Sequence, residues 1–112
     1  MNELNILVYA PDPMLLERML QIISDEQGWC AEGTTDDERA IEMFHRRKNE
    51  LVIIGGNVDS VTDVKLKKLF TRLDRHVSIL NFYGGDDWYL RVQIRTIMKL
   101  DEDAPVVMDS PF

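Results

Sequence analysis

The chain has 112 residues, enough for one domain with a core of its own and too few to call for a second. Its 20 acidic side chains outnumber the 13 basic ones for a net charge of -7, which works against nonspecific attraction to nucleic acid or to an anionic membrane unless a local basic patch overrides it. A single cysteine, Cys30, excludes an internal disulfide and fits a reducing cytoplasm. No apolar run reaches membrane-spanning length and Met1-Asn2-Glu3-Leu4 lacks a basic leader region, so a soluble, unprocessed cytoplasmic protein is expected.

Leu4 to Ala10 is a compact run of strand formers that Pro11-Asp12-Pro13 stops. Asp12 can cap a helix whose first position is Pro13, where a missing N–H costs nothing. Leu16, Met19, Leu20 and Ile23 then recur at helical spacing up to Gly28. Trp29 to Gly33 is short and mixed, as suits an edge strand. Thr35-Asp36-Asp37-Glu38 has the spacing of a capping box. The helix it opens would bury Ala40, Ile41, Met43 and Phe44, and would end near Arg46, Arg47 and Lys48.

Glu50 to Asn57 is the run around which the rest is organised. Leu51-Val52-Ile53-Ile54 is apolar on both faces, hence a central strand of a parallel sheet covered by helices on both sides, and it ends abruptly in Gly55-Gly56. After a loop over 58–63, Leu66, Leu69, Phe70 and Leu73 mark a third amphipathic helix. Its polar side carries Lys65, Lys67, Lys68, Arg72 and Arg75, the one basic concentration in the chain. A solvated helix face is the simpler reading of these charges and a patch for an acidic partner the sharper one. Val77 to Tyr83 is a fourth strand, Gly84-Gly85-Asp86-Asp87 the loop and cap after it, and Leu90, Ile94, Ile97 and Met98 the buried stripe of a fourth helix with Trp88 and Tyr89 in its first turn. Pro105 to Asp109 reads as a short last strand.

Five strands alternating with four helices predict an α/β, flavodoxin-like three-layer sandwich with a five-stranded parallel sheet of order 2-1-3-4-5. Right-handed crossovers would place the first helix on one face and the next three on the other. With the final helix absent, an apolar strip beside the first helix is expected to stay open to a partner or a second copy.

Several short stretches resemble the receiver domain of two-component response regulators. Ile6 to Glu17 is similar to that family's opening, Leu51 to Gly55 to its third strand, Asn81-Phe82-Tyr83-Gly84 to its fourth-strand ending, and Ser110-Pro111-Phe112 stands where the family usually has Lys-Pro-Phe. The likeness spans nearly the whole chain and implies a single receiver-like domain over 1–112. It also implies where activity would sit, and there the sequence departs from the pattern. The phosphoacceptor aspartate is replaced by Gly55. Of the acidic residues that help hold Mg²⁺ only Asp12 is matched, too little for a dedicated site. The switch Ser/Thr is matched by Asn81 and the phosphoryl-contacting lysine by Ser110. The resemblance makes Ser110-Pro111 a candidate cis bond. A shifted register would make Asp59 the acceptor, although a loop aspartate there is more simply polar punctuation.

Other chemistry has little to rest on. The pairs Gly55-Gly56 and Gly84-Gly85 could cradle a phosphate with backbone N–H groups, but neither has Walker or dinucleotide spacing, Asp86 and Asp87 argue against it at the second pair, and turns needing permissive dihedrals are the simpler reading. His45 and His76 have no partner at metal-ligand spacing, and no Ser/His/acid motif is present. The aromatics near Phe82, Tyr83, Trp88 and Tyr89 lack the basic interleaving of a nucleic-acid platform. The expectation is a degenerate receiver-like signalling domain: no enzyme, no cofactor or metal, working through a protein partner or homodimerisation. Trp88, Tyr89, Lys65, Lys68 and Arg72 are its candidate contact residues. The alternative is a small flavodoxin-like ligand binder or enzyme using the backbone of Gly55, Gly56 and Gly84.

Overall fold

A computed structural model describes residues 3–47 and 49–99. Strands and helices alternate as β1 (Leu4–Tyr9), α1 (Pro13–Ser24), β2 (Trp29–Thr34), α2 (Asp37–Arg46), β3 (Leu51–Gly55), α3 (Ser60–Leu73), β4 (Ser78–Phe82) and α4 (Asp87–Ile97). All neighbouring strands are parallel, in the order β2-β1-β3-β4, with Val8 opposite both Gly33 and Ile53, and Ile53 opposite Leu80. β3 is buried throughout, as its unbroken apolar run requires.

The period of two divides the core into halves. Ile6, Val8, Leu51, Ile53 and Phe82 point to one face, where Met19, Ile22 and Ile23 of α1 and Leu90 and Ile94 of α4 cover them. Leu7, Tyr9, Val52 and Ile54 point to the other, beneath Ala40, Met43 and Phe44 of α2 and Leu66 and Phe70 of α3. Aspartates stand at the start of all four helices, and in three of them the side chain makes the capping bond. Asp12 accepts from Met14 N–H at 3.0 Å with Pro13 behind it, Asp36 from Glu38 N–H at 3.4 Å, and Asp59 from Thr62 N–H at 2.8 Å. The cap of α2 is therefore Asp36 rather than Thr35, because β2 runs on through Thr34 and shifts the helix start by one residue. Thr34 instead accepts from Asp36 N–H through its hydroxyl at 3.1 Å.

The expected layering needs correction at α4. This helix lies beside α1, not with α2 and α3, and covers the strip that was expected to be open. The handedness rule governs a helix that leads from one strand to a parallel neighbour. α1 obeys it in moving from β1 to β2, and α2 and α3 obey it on the opposite face in moving the other way along the sheet. α4 leads to no further strand among the described residues, so its face is decided by packing alone. The described sheet accordingly has four strands rather than five. The expected strand at Pro105–Asp109, Ser110 and the Ser110-Pro111 bond lie outside the described residues. No helix among the described residues is long and apolar enough to cross a membrane.

Candidate functional site at the carboxyl ends of the strands

In an open parallel sheet the loops after the strands are where ligands and reactive groups gather. At the end of β3, Gly55 is buried, and a Cβ there would lie 2.7 Å from Met19 Sδ and 3.3 Å from Ala10 Cβ. The space in which a side chain at position 55 would begin is thus filled by a methionine of α1. Gly55 does not have the positive φ of Gly56 (+84°), so a larger residue there would meet no backbone strain, only the end of the Met19 side chain, which would have to move. Gly56 supplies the turn, and its N–H donates to Phe82 O at 2.8 Å. Gly84 and Gly85 have φ of +114° and +132°, backbone that glycine alone adopts readily, in the loop between β4 and α4.

The acidic residues nearby are each bound into the scaffold. Asp12 caps α1. Asp59 accepts from both the N–H and the hydroxyl of Thr62, at 2.8 and 2.9 Å, and these bonds hold its carboxyl below the usual carboxylate range. It is the N-cap of α3. Asp37 takes the Lys65 ammonium at 2.7 Å; that bond lowers the Asp37 pKa and raises that of Lys65. Asn81 donates its amide to Asp63 Oδ1 at 3.0 Å, and Lys67 approaches the other oxygen at 2.9 Å. Burial works against the charge on Asp63, but the Asn81 and Lys67 contacts outweigh it and hold the carboxyl below its ordinary value. Below this group lies Tyr9, its phenol pushed up by burial first and then by the charges of Asp37, Asp59 and Asp36. Among the described residues no three His, Cys, Asp or Glu side chains gather where they could hold a metal ion.

The positions singled out in the sequence therefore come to different ends. Gly55 and Asn81 stand at the ends of β3 and β4, which pair side by side, and Asp12 opens α1 after β1. Asn81 is turned into a bond with α3. Lys65 is committed to Asp37. Lys68 borders an open apolar depression of about 560 Å³ with Val61 and Val64, and Arg72 sits in the last turn of α3, where a cation suits the helix dipole. Trp88 is 60% exposed and packs edge-on against Tyr89, whose ring centroid is in turn 6.5 Å from that of Phe82. Neither this depression nor the one between α1 and Asp87 is lined by a glycine, so the glycine-loop alternative gains no support from them.

Sequence reasoning did not find Asp37, Asp63 or Arg18. The Asp63–Lys67 pair was legible as an i,i+4 spacing. The other partners join through the fold. Arg18 donates to Asp87 at 2.8 Å and to Gly85 O at 2.7 Å across 69 and 67 residues of sequence.

No family model matches the sequence, and no curated protein matches it. Among solved structures it is similar to the signal receiver domain of an HD domain-containing protein from Pseudomonas fluorescens Pf-5, with a TM-score of 0.60 over 91% of each chain at 16% identity. At that identity the likeness is one of architecture. The chain has a receiver-like fold.

Proposed function

We propose that this is a degenerate receiver-like signalling domain that acts by binding protein and is not switched by aspartyl phosphorylation. The observation that carries this reading is the end of β3. Where the resemblance places an acceptor carboxylate there is Gly55, with Met19 Sδ 2.7 Å from the point at which any side chain would start. The carboxylates around it support the same reading, because Asp12 and Asp59 are spent as helix caps and Asp37 and Asp63 in bonds to Lys65, Asn81 and Lys67. A receiver-like scaffold without its acceptor still presents surface. Val61, Tyr83 and Trp88 are large apolar side chains at 77%, 75% and 60% exposure. In this reading the domain has no enzymatic activity, needs no cofactor, and works in the cytoplasm, a reducing compartment that its lone cysteine fits.

Intact-mass spectrometry after incubation with Mg²⁺ and phosphoramidate tests the proposal. The expected result is no added phosphoryl group under conditions that phosphorylate an active receiver domain. Gain of one phosphoryl group per chain that hydroxylamine and alkali remove, as they remove an aspartyl phosphate, would overturn it.

A further inference from the structure

The outer edge of β4 is built to pair with another strand. In a parallel ladder a residue directs its N–H and C=O to the same neighbour and successive residues alternate sides. Ser78 N–H bonds Glu50 O at 3.1 Å and Phe82 O accepts from Gly56 N–H at 2.8 Å, so Ser78, Leu80 and Phe82 serve β3. Ile79 and Asn81 therefore direct their backbone groups outward, where no described strand lies. Edge strands are commonly protected by charge, proline or a bulge, and β4, Ser-Ile-Leu-Asn-Phe, has no charge and no proline. The opposite edge, β2, carries Glu32 and Gly33.

Two strands could fill this edge: residues 105–109 of the same chain, or β4 of a second copy. The first would have to be reached through α4. Because α4 lies on α1's face, a parallel strand added beyond β4 would need a left-handed crossover, which parallel sheets almost never contain. The second meets no such obstacle. From this we infer that two copies of the chain join through β4, antiparallel about a two-fold axis at Leu80. Ile79 of each copy then lies opposite Asn81 of the other, and each such pair exchanges both backbone hydrogen bonds.

The helices agree with this arrangement. Side chains of the two β4 strands that share a face stay on a common face, so α4 and its copy run antiparallel on one side of a continuous sheet. Asp87 and Arg95 of α4 turn toward Arg18 and Glu26 of the α1 side. At 100° per residue, Tyr89 and Gln93 are left on the side turned to the second copy. Gln93 Oε1 is buried with no hydrogen-bond partner in the single chain, and Tyr89 is 40% exposed.

The inference rests on the interaction-module reading and names its partner, and its test is independent of the phosphodonor experiment. Sedimentation equilibrium of the full chain is expected to give twice the 13.0 kDa mass at high micromolar concentration. Hydrogen exchange should show the Ile79 and Asn81 amides protected in the dimer and exposed on dilution. Gln93→Lys, which sets like charges across the axis, should weaken association by about tenfold or more while circular dichroism stays unchanged. A chain that remains monomeric at high micromolar concentration overturns the inference, and if it also takes up no phosphoryl group the interaction-module reading survives with a different partner. Protection of Ile79 and Asn81 that does not change on dilution also overturns it, since the chain's own residues would then cover the edge. So does a dimer in which those two amides exchange freely.

Discussion

The two helical layers of this domain are held by different means. In the α2/α3 layer both helices are crossovers whose face is imposed by the order of the strands; their buried contact is apolar, with Phe44 and Phe70 edge to face at a centroid distance of 5.0 Å, and the Lys65–Asp37 pair joins them at the rim. In the α1/α4 layer, α4 is positioned by polar side chains as much as by Leu90 and Ile94. Arg18 reaches Asp87 and Gly85 at its start, while Arg95 pairs with Glu26 and stacks over Trp29, 5.4 Å from the ring centroid, near its end. Asp86 makes no side-chain capping bond. Where topology fixes a helix, a polar bond at the rim only adds to the packing; where it does not, polar bonds must also choose the place.

The contrast fails first if the α2/α3 layer can be emptied cheaply. Phe70 is fully buried beneath Phe44, so Phe70→Ala is expected to cost about 3–5 kcal/mol through lost burial and an unfilled cavity. Urea denaturation should record this as a lower midpoint for the whole domain, with circular dichroism and fluorescence moving together. A loss below about 1 kcal/mol, or separate transitions for the two probes, would mean that this layer does not carry the cooperative core.

How much of this could be read beforehand follows the same division. The order of elements, the central place of Leu51–Gly55 and the Asp12-Pro13 helix start were legible because each depends on residues close in sequence. The crowding of Gly55 was not legible, since Met19 meets it only after α1 folds onto the sheet. The place of α4 was misread because the handedness rule was applied to a helix with no following strand to bind it. The cues that set it, Arg18 with Asp87 and Glu26 with Arg95, are 69 residues apart in each case and carry no local spacing. Among the site residues, Asn81 was rightly placed at a strand end, but its bond to Asp63 depended on how α3 lies over β4.

A milder intervention separates the layers from the other side. Arg18→Ala removes the contacts to Asp87 and Gly85 from side chains that are about half exposed, so global stability should fall by no more than about 1 kcal/mol. The effect should concentrate in α4. Its amides are expected to exchange faster than in the parent chain while those of α2 and α3 keep their rates, the pattern of a locally opened segment. Uniform acceleration through all four helices would show that the polar clamp is part of the common core and would remove the distinction between the layers.

The smallest effect expected is a pH dependence confined to the α2/α3 layer's outer rim. Asp37 and Asp63 have folded pKa values depressed below the ordinary one, Asp37 chiefly by the Lys65 bond, and Asp63 by Asn81 and Lys67 against its burial. A carboxyl group whose folded pKa is lowered contributes its stability in full above the unfolded value, about 3.9, and loses it as the pH falls through the folded value. Lys65, raised by Asp37, acts in the opposite sense: its contribution is complete below the ordinary lysine value and is lost only as the pH climbs past the raised one. Melting temperature should therefore be flat across neutral pH and decline at the acid end. Asp63→Asn is expected to lie below the parent at neutral pH by less than about 1 kcal/mol, since the Lys67 partner is solvent-screened, and to converge with it as the acid limit is approached. Two curves that keep a constant separation into strong acid would show that Asp63 acts by shape alone, and the ionic part of the contrast between the layers would then have to be given up.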